Sequence, residues 1–363
     1  MKLVIDARES GTSTGRYVDK LIEYLSKLEP DFEVVIFTKL LRLDFFKKIS
    51  PRFKTVESNF KEFTFAEQGA FLKQLRRQKA DLVHFTMTQQ PVWYKGKAIT
   101  TIHDLTTIRF NNPAKNWLVY KLKQQVYKWV VKRVARKSKH IITASEFVKK
   151  DLVDYTHIDP EKVSVIYEAA DKITDSTEPV ESLVGKKFIM YIGRPTPHKN
   201  LERLIETLPL LREKEPELLL ALAGKPDENY ERIKHLVSQR GLDNSVVFTG
   251  FASEGQLRWL YENTAAYIFP SLSEGFGLPG LEAMVHGAPV VSSNATCLPE
   301  IYGKAAHYFD PYDVSAMAAK IQEVLTDEKL RKKLIENGKV QAKKYSWQRM
   351  ARQTLEIYRQ TMR

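Results

Sequence analysis

The sequence contains little cysteine and no long apolar run. Among 363 residues there is a single cysteine, Cys297, which excludes an internal disulfide and is typical of a reducing compartment. No stretch approaches the roughly 20 apolar residues of a membrane-spanning helix. The N-terminal MKLVIDARES has one short apolar run followed by polar residues, unlike a secretory signal. These absences predict a cytoplasmic location, either free or at the inner face of the membrane.

Several functional signatures are also missing. The eight histidines are scattered without ligand spacing, so no metal site is expected. Neither half of the chain has G-x-G-x-x-G after its first strand, and no zinc finger, RNP strand or helix-turn-helix signature is present. A basic nucleic-acid-binding protein and a nucleotide-dependent oxidoreductase are therefore the weaker alternatives. Salt-sensitive retention on DNA would reveal the first, and absorbance of a bound cofactor would reveal the second.

Acidic residues are outnumbered by lysine and arginine, 44 to 57, which gives a net charge of +13. This excess predicts an anionic partner: a phosphate-bearing ligand, an anionic membrane surface or nucleic acid. Positive charge is concentrated beside aromatic residues at 39–54 and 115–140. In the second stretch, apolar residues at helical spacing fit either an interfacial amphipathic helix or a core-facing helix with a solvated basic back. These apolar residues are Trp117, Tyr120, Val126, Val130 and Val134.

The length predicts two domains, and short apolar runs alternate with helical patterns throughout the chain. The predicted fold class is α/β, with two Rossmann-like doubly wound parallel-sheet domains. We predict an N-terminal domain at 1–170, a linker at 171–186, a C-terminal domain at 187–345 and a terminal helix at 346–363 that packs back on the N-terminal domain. Predicted strands of the two domains are KLVIDAR, EVVIFTK, DLVHFT, AITTIHD, HIITAS and VSVIYE, then KFIMYIGR, ELLLALAG, SVVFTGF, AAYIFPS, PVVSS and AAHYFD.

Ligands of such sheets bind at the carboxyl ends of the strands, where one candidate site follows KFIMYIGR. Arg194 leaves this strand, Lys199 lies five residues later, and Asn200 is a suitable N-cap for the helix that follows. Two cations above a helix N-terminus are a fitting site for a diphosphate. An isolated R-x4-K pair is also compatible with two solvated surface cations.

A second candidate site is EGFGLPGLEAMVHG, which follows the predicted strand AAYIFPS. Glu274 lies in the connecting loop, and Gly275 and Gly277 allow a sharp turn close to a ligand. Glu282 is placed near the start of a short helix that ends at Gly287. Carboxylate oxygens accept hydrogen bonds from vicinal hydroxyls, so a sugar or ribose is the expected guest. The alternative is that both glutamates only cap helix N–H groups.

The E-x7-E spacing after a strand, with G-R-x4-K-N some 80 residues earlier, resembles glycosyltransferase family 4 over essentially the whole chain. The resemblance implies the GT-B fold, with two Rossmann-like domains facing each other across a cleft, and glycosyl transfer with retention at the anomeric carbon. It further implies that Arg194 and Lys199 neutralise the departing diphosphate, that Glu274 holds the transferred sugar and that Glu282 holds the ribose. Implied donor-binding residues also include Gly193, Gly275, Phe276, Gly277 and Leu278.

The N-terminal half has weaker matches to the family. His103 and Asp104 resemble its His-Asp pair, in which the histidine contacts the donor sugar. Gly15 lies in a glycine-containing loop of the implied donor site, beside Arg16, a possible phosphate or acceptor contact, and Ser145 opens a helix. The sequence departs from the family after VSVIYE, where Glu168-Ala-Ala replaces the usual asparagine-glycine turn, so no ligand contact is predicted there.

The resemblance implies a retaining hexosyltransferase of cell-envelope polysaccharide or glycolipid synthesis. Such an enzyme is expected to need no metal and no cofactor. Its donor substrate is a nucleotide-diphosphate sugar, with a mannosyl or glucosyl unit favoured. The expected partners are this nucleotide sugar, a glycan or lipid-linked acceptor and an anionic membrane that the protein contacts peripherally. No nucleic acid is expected. Catalytic residues are expected to be His103, Arg194, Lys199 and Glu274.

Overall fold

The computed structural model describes residues 1–12, 15–110 and 117–363, with only the backbone described at 117–120. The chain forms two compact units. The first contains Met1–Ile108, Lys121–Glu168 and Ser346–Arg363, and the second is formed mainly by Ala169–Tyr345.

The first unit is built on a parallel sheet of seven strands in the order β3-β2-β1-β4-β5-β6-β7. Six of these strands correspond to the predicted N-terminal series. The additional strand, β3, lies at the sheet edge, and its sequence KTVE is too short and too polar to be recognised as a strand. The strands are β1 (Lys2–Asp6), β2 (Glu33–Thr38), β3 (Lys54–Glu57), β4 (Leu82–Phe85), β5 (Ala98–Ile102), β6 (His140–Thr143) and β7 (Val163–Val165).

The helices that accompany this sheet differ in length and in how they begin. The hydroxyl of Ser145 accepts a hydrogen bond from the Val148 amide and so caps its helix, as the sequence predicts. A single π-helical turn, Glu67–Phe71, precedes a short α-helix and carries Glu67 into a buried ion pair with Arg8. The helices are α1 (Gly15–Lys27), α2 (Leu43–Ile49), α3 (Leu72–Arg77), α4 (Thr106–Arg109), α5 (Trp117–Lys137) and α6 (Glu146–Thr156).

The second unit contains a parallel sheet of six strands in the order β10-β9-β8-β11-β12-β13. All six strands of the predicted C-terminal series are confirmed. They are β8 (Phe188–Ile192), β9 (Leu219–Ala223), β10 (Val246–Gly250), β11 (Ala266–Phe269), β12 (Val290–Ser293) and β13 (Ala306–Phe309). The helices are α7 (Leu201–Arg212), α8 (Glu228–Gln239), α9 (Glu254–Asn263), α10 (Leu278–Val285), α11 (Leu298–Tyr302), α12 (Val314–Thr326) and α13 (Glu328–Ala342).

Both sheets have the doubly wound strand order, which explains their composition. Helices cover both faces of such a sheet, so its central strands are apolar on both sides. In β1 the side chains of Leu3, Val4 and Ile5 are fully buried. The winding direction reverses between β1 and β4 in one sheet and between β8 and β11 in the other, and ligand sites of this architecture lie at the carboxyl ends of strands beside such a reversal.

The last helix, α14 (Trp347–Met362), packs within the first unit. Its predicted apolar positions, including Trp347 and Met350, are buried, and the hydroxyl of Tyr358 lies 2.6 Å from Nδ1 of His84 on β4. The stretch 171–186, predicted as a linker, is bound to the second unit. For example, the Ile173 amide donates to His286. No helix within the described ranges has the length and apolar content needed to cross a membrane.

Candidate functional site

Lys199 and Glu274 meet at the carboxyl ends of β8 and β11. The Nζ of Lys199 lies 2.5 Å from Oε1 of Glu274, and the two side chains are 20% and 12% exposed. The backbones of their loops are joined as well, because the Leu272 amide donates to the His198 carbonyl at 2.7 Å. Two residues that are 75 positions apart in sequence therefore form one partly exposed ion pair.

The loop that carries Glu274 depends on Gly277. This residue has φ of +86°, and an added Cβ would lie 2.5 Å from the Tyr302 hydroxyl oxygen and 2.6 Å from Cδ2 of Leu298. The Tyr302 hydroxyl also donates to the Gly277 carbonyl. A side chain at this position is excluded both by the backbone conformation and by the space.

Gly193 has the equivalent role after β8. Its φ is +142°, and an added Cβ would lie 2.8 Å from the hydroxyl oxygen of Tyr191. Its amide donates to the Ala223 carbonyl at 2.9 Å, which ties the loop to the end of β9. Gly193 and Gly277, two of the glycines that the resemblance assigns to donor binding, thus shape the loops that present Lys199 and Glu274.

The backbone of Glu274 is fixed by two neighbours on the segment after β12. Its amide donates to the Thr296 hydroxyl at 3.2 Å, and its carbonyl accepts from Sγ of Cys297 at 3.3 Å. Burial, with the nearby negative charge of Glu274, raises the pKa of the Cys297 thiol well above its usual value. The single cysteine is therefore a packing and hydrogen-bonding residue of this loop.

Arg194 lies against a different partner. Its guanidinium donates to Oδ2 of Asp227 at 2.9 and 3.2 Å, and the Arg194 side chain is 63% exposed. Asp227 also caps α8, since its other carboxylate oxygen accepts from the Asn229 and Tyr230 amides. Burial alone would raise the pKa of Asp227, but these hydrogen bonds, led by that from Arg194, lower it overall.

Asn200 precedes α7, but its side chain does not cap the helix, so the predicted side-chain cap is wrong. Its φ is +62°, and Nδ2 instead donates to the carbonyls of Pro270 and Pro311, at 3.1 and 2.8 Å. The side-chain amide of Asn200 is buried, so its hydrogen-bonding groups need partners within the protein, and the two carbonyls supply them. Asn200 consequently connects the Lys199 loop to the ends of β11 and β13.

Glu282 lies in the second turn of α10, slightly further from the helix start than the sequence predicts. It is only 7% exposed, and Oε2 accepts a hydrogen bond from the Tyr261 hydroxyl at 3.3 Å. The helix ends at Val285, and Gly287 follows with φ of +82°, as predicted for its termination. The structure places Glu274 and Glu282 on the same loop–helix segment.

The other implied donor-binding residues of this segment have mixed surroundings. Gly275 continues the loop, and Leu278 is the first residue of α10, so its amide has no intrahelical partner by position. The Phe276 ring is buried and packs edge-on against Tyr345, with ring centroids 5.5 Å apart. Phe276 therefore anchors the loop through its side chain.

In the first unit, His103 follows β5 and lies between two hydrogen-bond acceptors. Its Nδ1 is 3.2 Å from Oε1 of Glu168, and its Nε2 is 3.1 Å from the Thr86 carbonyl. Burial lowers the pKa of His103, but the hydrogen bond and charge of Glu168 together with the Thr86 carbonyl outweigh it, so the pKa is raised overall. An imidazolium satisfies both acceptors at once, because each ring nitrogen then donates.

A buried polar network supports His103 from below. The Tyr17 ring packs edge-on against it, with ring centroids 4.9 Å apart, and the Tyr17 hydroxyl lies 3.0 Å from that of Thr101. Thr101 in turn contacts Nε2 of His84 at 2.9 Å, and Tyr358 contacts the other nitrogen. Burial and the charge of His103 lower the pKa of His84 to about 3, so His84 is a neutral hydrogen-bonding residue.

Gly15 and Asp104 have local roles in this region. Gly15 begins α1 two residues before Tyr17, and its amide donates to the Thr12 carbonyl at 3.0 Å. An added Cβ on Gly15 would clash with the Glu9 carbonyl. Asp104 accepts from the Thr106 amide at 2.7 Å and so begins α4. The structure therefore gathers Gly15 and His103 around Tyr17, while Asp104 is occupied by its own helix.

Two residues of these sites are not predicted by the sequence. No ligand contact is predicted at Glu168, where the sequence departs from the family pattern, yet its carboxylate holds His103. Asp227 has no predicted role, although an aspartate between Pro226 and a helical pattern is a typical N-cap signal. Among the residues the structure describes, no group of three or more histidine, cysteine, aspartate or glutamate side chains is arranged to hold a metal ion.

Comparison with known proteins identifies the family. Residues 14–172 match the model of Glycosyltransferase Family 4, and residues 173–341 match that of Glycosyl transferases group 1. The O-antigen chain mannosyltransferase B of Escherichia coli is 30% identical, over 72% of this chain and 70% of that protein. The serotype-specific mannosyltransferase WbdA of Escherichia coli is 35% identical over 60% of this chain, but the match spans only 28% of WbdA.

The structural comparison agrees on the architecture. The crystal structure of HepE from Anabaena in complex with UDP and glucose superposes with a TM-score of 0.77 and 15% identity, over 99% of this chain and 100% of HepE. At this identity the likeness concerns the fold. Together with the two family models, it leads to one conclusion: the chain belongs to glycosyltransferase family 4 and has the GT-B fold, as its sequence predicted.

Proposed function

We propose that this protein transfers a hexosyl unit, mannosyl or glucosyl, from a nucleotide-diphosphate sugar to a glycan or lipid-linked acceptor of the cell envelope. The observation that carries the proposal is the ion pair between Lys199 and Glu274, held on loops whose shape depends on Gly193 and Gly277. A cation next to a carboxylate at strand ends suits a ligand that is anionic at one end and rich in hydroxyls at the other.

The names of similar proteins support the choice of substrates. WbdA and the O-antigen chain mannosyltransferase B are named as mannosyltransferases, and HepE was crystallised with UDP and glucose. A nucleotide sugar as donor and an envelope glycan as acceptor are the proposals that these names favour. The inner face of the membrane is the corresponding location, since a lipid-linked acceptor would be presented there.

The proposed reaction breaks the bond between the anomeric carbon and the diphosphate oxygen, whose electron pair leaves with the nucleotide diphosphate. The acceptor hydroxyl oxygen forms the new bond to the anomeric carbon, and its proton passes to the leaving phosphate. Attack occurs on the face from which the diphosphate departs, so the configuration is retained. The chain's task is to stabilise negative charge on the leaving group and positive charge on the sugar ring.

The proposed roles of individual residues are those that the resemblance to the family implies. Lys199 neutralises the diphosphate without a metal ion, and donor binding exchanges its contact with Glu274 for one with phosphate. Glu274 then accepts hydrogen bonds from hydroxyls of the transferred sugar. Arg194 supplies a second cation, and Glu282 accepts from the ribose hydroxyls. His103 contacts the donor sugar, with Glu168 as the positioning residue that orients its ring and favours its cationic form.

The decisive experiment is a thermal-shift screen against nucleotide sugars, including GDP-mannose and UDP-glucose. A donor at 100 times its dissociation constant should stabilise the protein by about 2.7 kcal/mol. The Lys199→Ala variant should show a smaller shift, whereas Lys214→Ala, an exposed lysine of the same unit, should keep the full shift. If no nucleotide sugar stabilises the protein, or if both variants respond equally, the proposed donor site is wrong.

Two further measurements test the mechanism. Proton NMR of the anomeric centre of the product should show the configuration of the donor, and an inverted product would contradict retention. Transfer should continue at its full rate in excess EDTA. Complete loss of transfer, restored by a divalent cation, would contradict the proposed metal-independent role of Lys199.

A further inference from the structure

The positive charge of the chain is concentrated in one stretch of sequence, most of which belongs to the first unit. Residues 82–145 contain twelve lysines and arginines but one acidic residue, Asp104, so this stretch accounts for eleven of the thirteen net positive charges. Helix α5, at its centre, contains no acidic residue in its 21 positions. A segment so one-sided in charge is attracted to an extended anionic surface.

Helix α5 also exposes an apolar face. Tyr127, Val130 and Val134 are buried against the unit, whereas Leu122, Val126 and Trp129 are 68%, 48% and 47% exposed. The latter three are spaced by four and three residues and therefore lie on one face of the helix. Val126 is thus not part of the buried face that holds Val130 and Val134. Of the five apolar residues at helical spacing named in the sequence analysis, two, Trp117 and Tyr120, have side chains outside the described part of the structure.

Neighbouring loops extend this apolar face. Trp93, 53% exposed, lies with its ring centroid 6.2 Å from that of Trp129, and the Arg133 guanidinium lies 4.7 Å from the Trp93 centroid and 5.7 Å from that of Trp129. Phe63, 54% exposed, packs edge-on against Tyr127 at 6.0 Å.

The loop of Phe63 also carries Phe65, which is 98% exposed. This loop is joined to the Trp93 loop by Gln68. The side-chain amide of Gln68 donates to the Gln90 carbonyl at 3.1 Å and accepts from the Val92 backbone amide at 2.9 Å. The exposed apolar residues therefore belong to one connected region of the first unit. We refer to the following six residues as the aromatic surface: Phe63, Phe65, Trp93, Leu122, Val126 and Trp129.

We propose that the aromatic surface binds the headgroup region of an anionic lipid bilayer. Tryptophan is favoured at membrane interfaces, where its ring is apolar and its N–H is polar. Surrounding lysines and arginines would contact lipid phosphates, and no acidic residue of α5 opposes them. Nucleic acid explains the charge, and exposed aromatic rings can stack on unpaired bases, but it does not explain the exposed aliphatic groups of Leu122 and Val126, which neither stack on bases nor hydrogen-bond to them.

This inference does not depend on glycosyl transfer, because binding to lipid requires neither donor nor acceptor. If both proposals hold, the surface brings the protein to the layer in which a lipid-linked acceptor resides. The test can therefore fail without affecting the proposed glycosyl transfer, and the proposed transfer can fail without affecting the test.

The test is co-sedimentation of the full chain with phosphatidylcholine vesicles that contain or lack phosphatidylglycerol. We expect binding only to the anionic vesicles, weakening as salt shortens the range of electrostatic attraction. Tryptophan fluorescence should shift to shorter wavelength on binding, and the shift should be smaller in Trp129→Phe. Equal binding to both vesicle types, or none to either, would overturn the proposal.

Paired variants distinguish binding through the aromatic surface from non-specific adsorption of the protein to vesicles. Phe65→Ser with Leu122→Ser removes two strongly exposed apolar groups and should weaken binding at least tenfold. Phe251→Ser with Val340→Ser, which are 78% and 64% exposed in the second unit, is the matched control and should bind normally. Equal losses in the two pairs would contradict the assignment of this surface.

The electrostatic contribution has its own pair. Lys132→Gln with Arg136→Gln removes cations three and seven residues after Trp129 on α5 and should weaken binding about 30-fold at low salt. Lys333→Gln with Lys339→Gln, exposed lysines of α13, should leave it unchanged. If instead the α5 pair loses retention on DNA while vesicle binding is unaffected, the surface is a nucleic-acid site and the proposal is wrong.

Discussion

The two units have the same doubly wound strand order but hold their functional side chains in different ways. In the second unit, an ion pair between Lys199 and Glu274 lies on loops shaped by glycine. In the first unit, His103 is suspended between a carbonyl and the Glu168 carboxylate above a buried chain of hydrogen bonds. The charge also differs, since most of the net positive charge belongs to 82–145.

This difference shows how one architecture supports two kinds of electrostatic site. An ion pair on glycine loops supplies charges that a ligand can exchange, and its geometry depends on backbone shape. A histidine held by a carboxylate supplies a charge that changes with pH, and its geometry depends on side-chain hydrogen bonds. Substitutions in the two units should therefore have different effects on activity, stability and titration.

The largest effect is expected for Lys199→Ala. If Lys199 stabilises the departing diphosphate, transition-state stabilisation should fall by about 3 to 4 kcal/mol, mostly in kcat. Steady-state kinetics with the donor identified by thermal shift would measure it, with Lys214→Ala as control. Near-normal turnover would show that Lys199 does not stabilise the leaving group. Combining Lys199→Ala with Glu274→Gln should give a non-additive loss, because the two groups are in contact.

A smaller effect, on stability, is expected for Gly277→Ala. The left-handed backbone alone costs about 1 to 3 kcal/mol for a non-glycine residue. Gly287→Ala is the matched control, because it has φ of +82° but no atom within 4 Å of an added Cβ. Denaturant unfolding should show a greater loss for Gly277→Ala than for Gly287→Ala, partly recovered by Tyr302→Phe. Equal losses would mean that the loop yields to the extra methyl group.

Glu168→Gln should change the titration of His103 and leave its orientation largely intact. Removing the anion disfavours the imidazolium, so the pKa of His103 should fall from its raised value, as NMR of the ring protons would report. In the wild type, the raised pKa contributes stability that is fully present below about 6.5 and is lost as pH rises through the folded-state pKa.

The Glu168→Gln variant should therefore lose stability relative to the wild type mainly at acidic pH. Glu161→Gln, an exposed glutamate before β7, serves as the control and should leave both the titration and the stability profile in place. An unchanged His103 titration in Glu168→Gln would show that the carboxylate does not govern this ring, and the comparison between the two units would lose its basis.

The smallest change in stability is expected for Arg194→Ala. Its pairing with Asp227 is largely exposed, and exposed ion pairs contribute less than about 1 kcal/mol. Kinetics should nevertheless show a lower kcat, because the sequence predicts that Arg194 binds the diphosphate. Asp227→Asn releases Arg194 from its partner and should not reduce turnover in the same way. A loss of folding stability without any loss of turnover would make Arg194 a structural residue.

Strand positions were predictable wherever burial on both faces required continuous apolar runs, as in LLALA of β9. The edge strand β3 was not, because its pairing with one neighbour does not require an apolar sequence. Side-chain partners were the least predictable feature. Asn200 is in the position of an N-cap, but its amide reaches carbonyls 70 and 111 residues away, which no local pattern encodes.

The sequence by itself determined the family, the two parallel sheets and the loops in which Lys199, Glu274 and His103 lie, because these follow from local periodicity and from residues close together in the chain. Only the tertiary structure decided which charges meet. Lys199 reaches Glu274, Arg194 reaches Asp227, and His103 reaches Glu168 across 65 residues. Such pairs arise where loops from separate strands converge at one edge of a sheet, and that convergence depends on strand order and not on sequence neighbours.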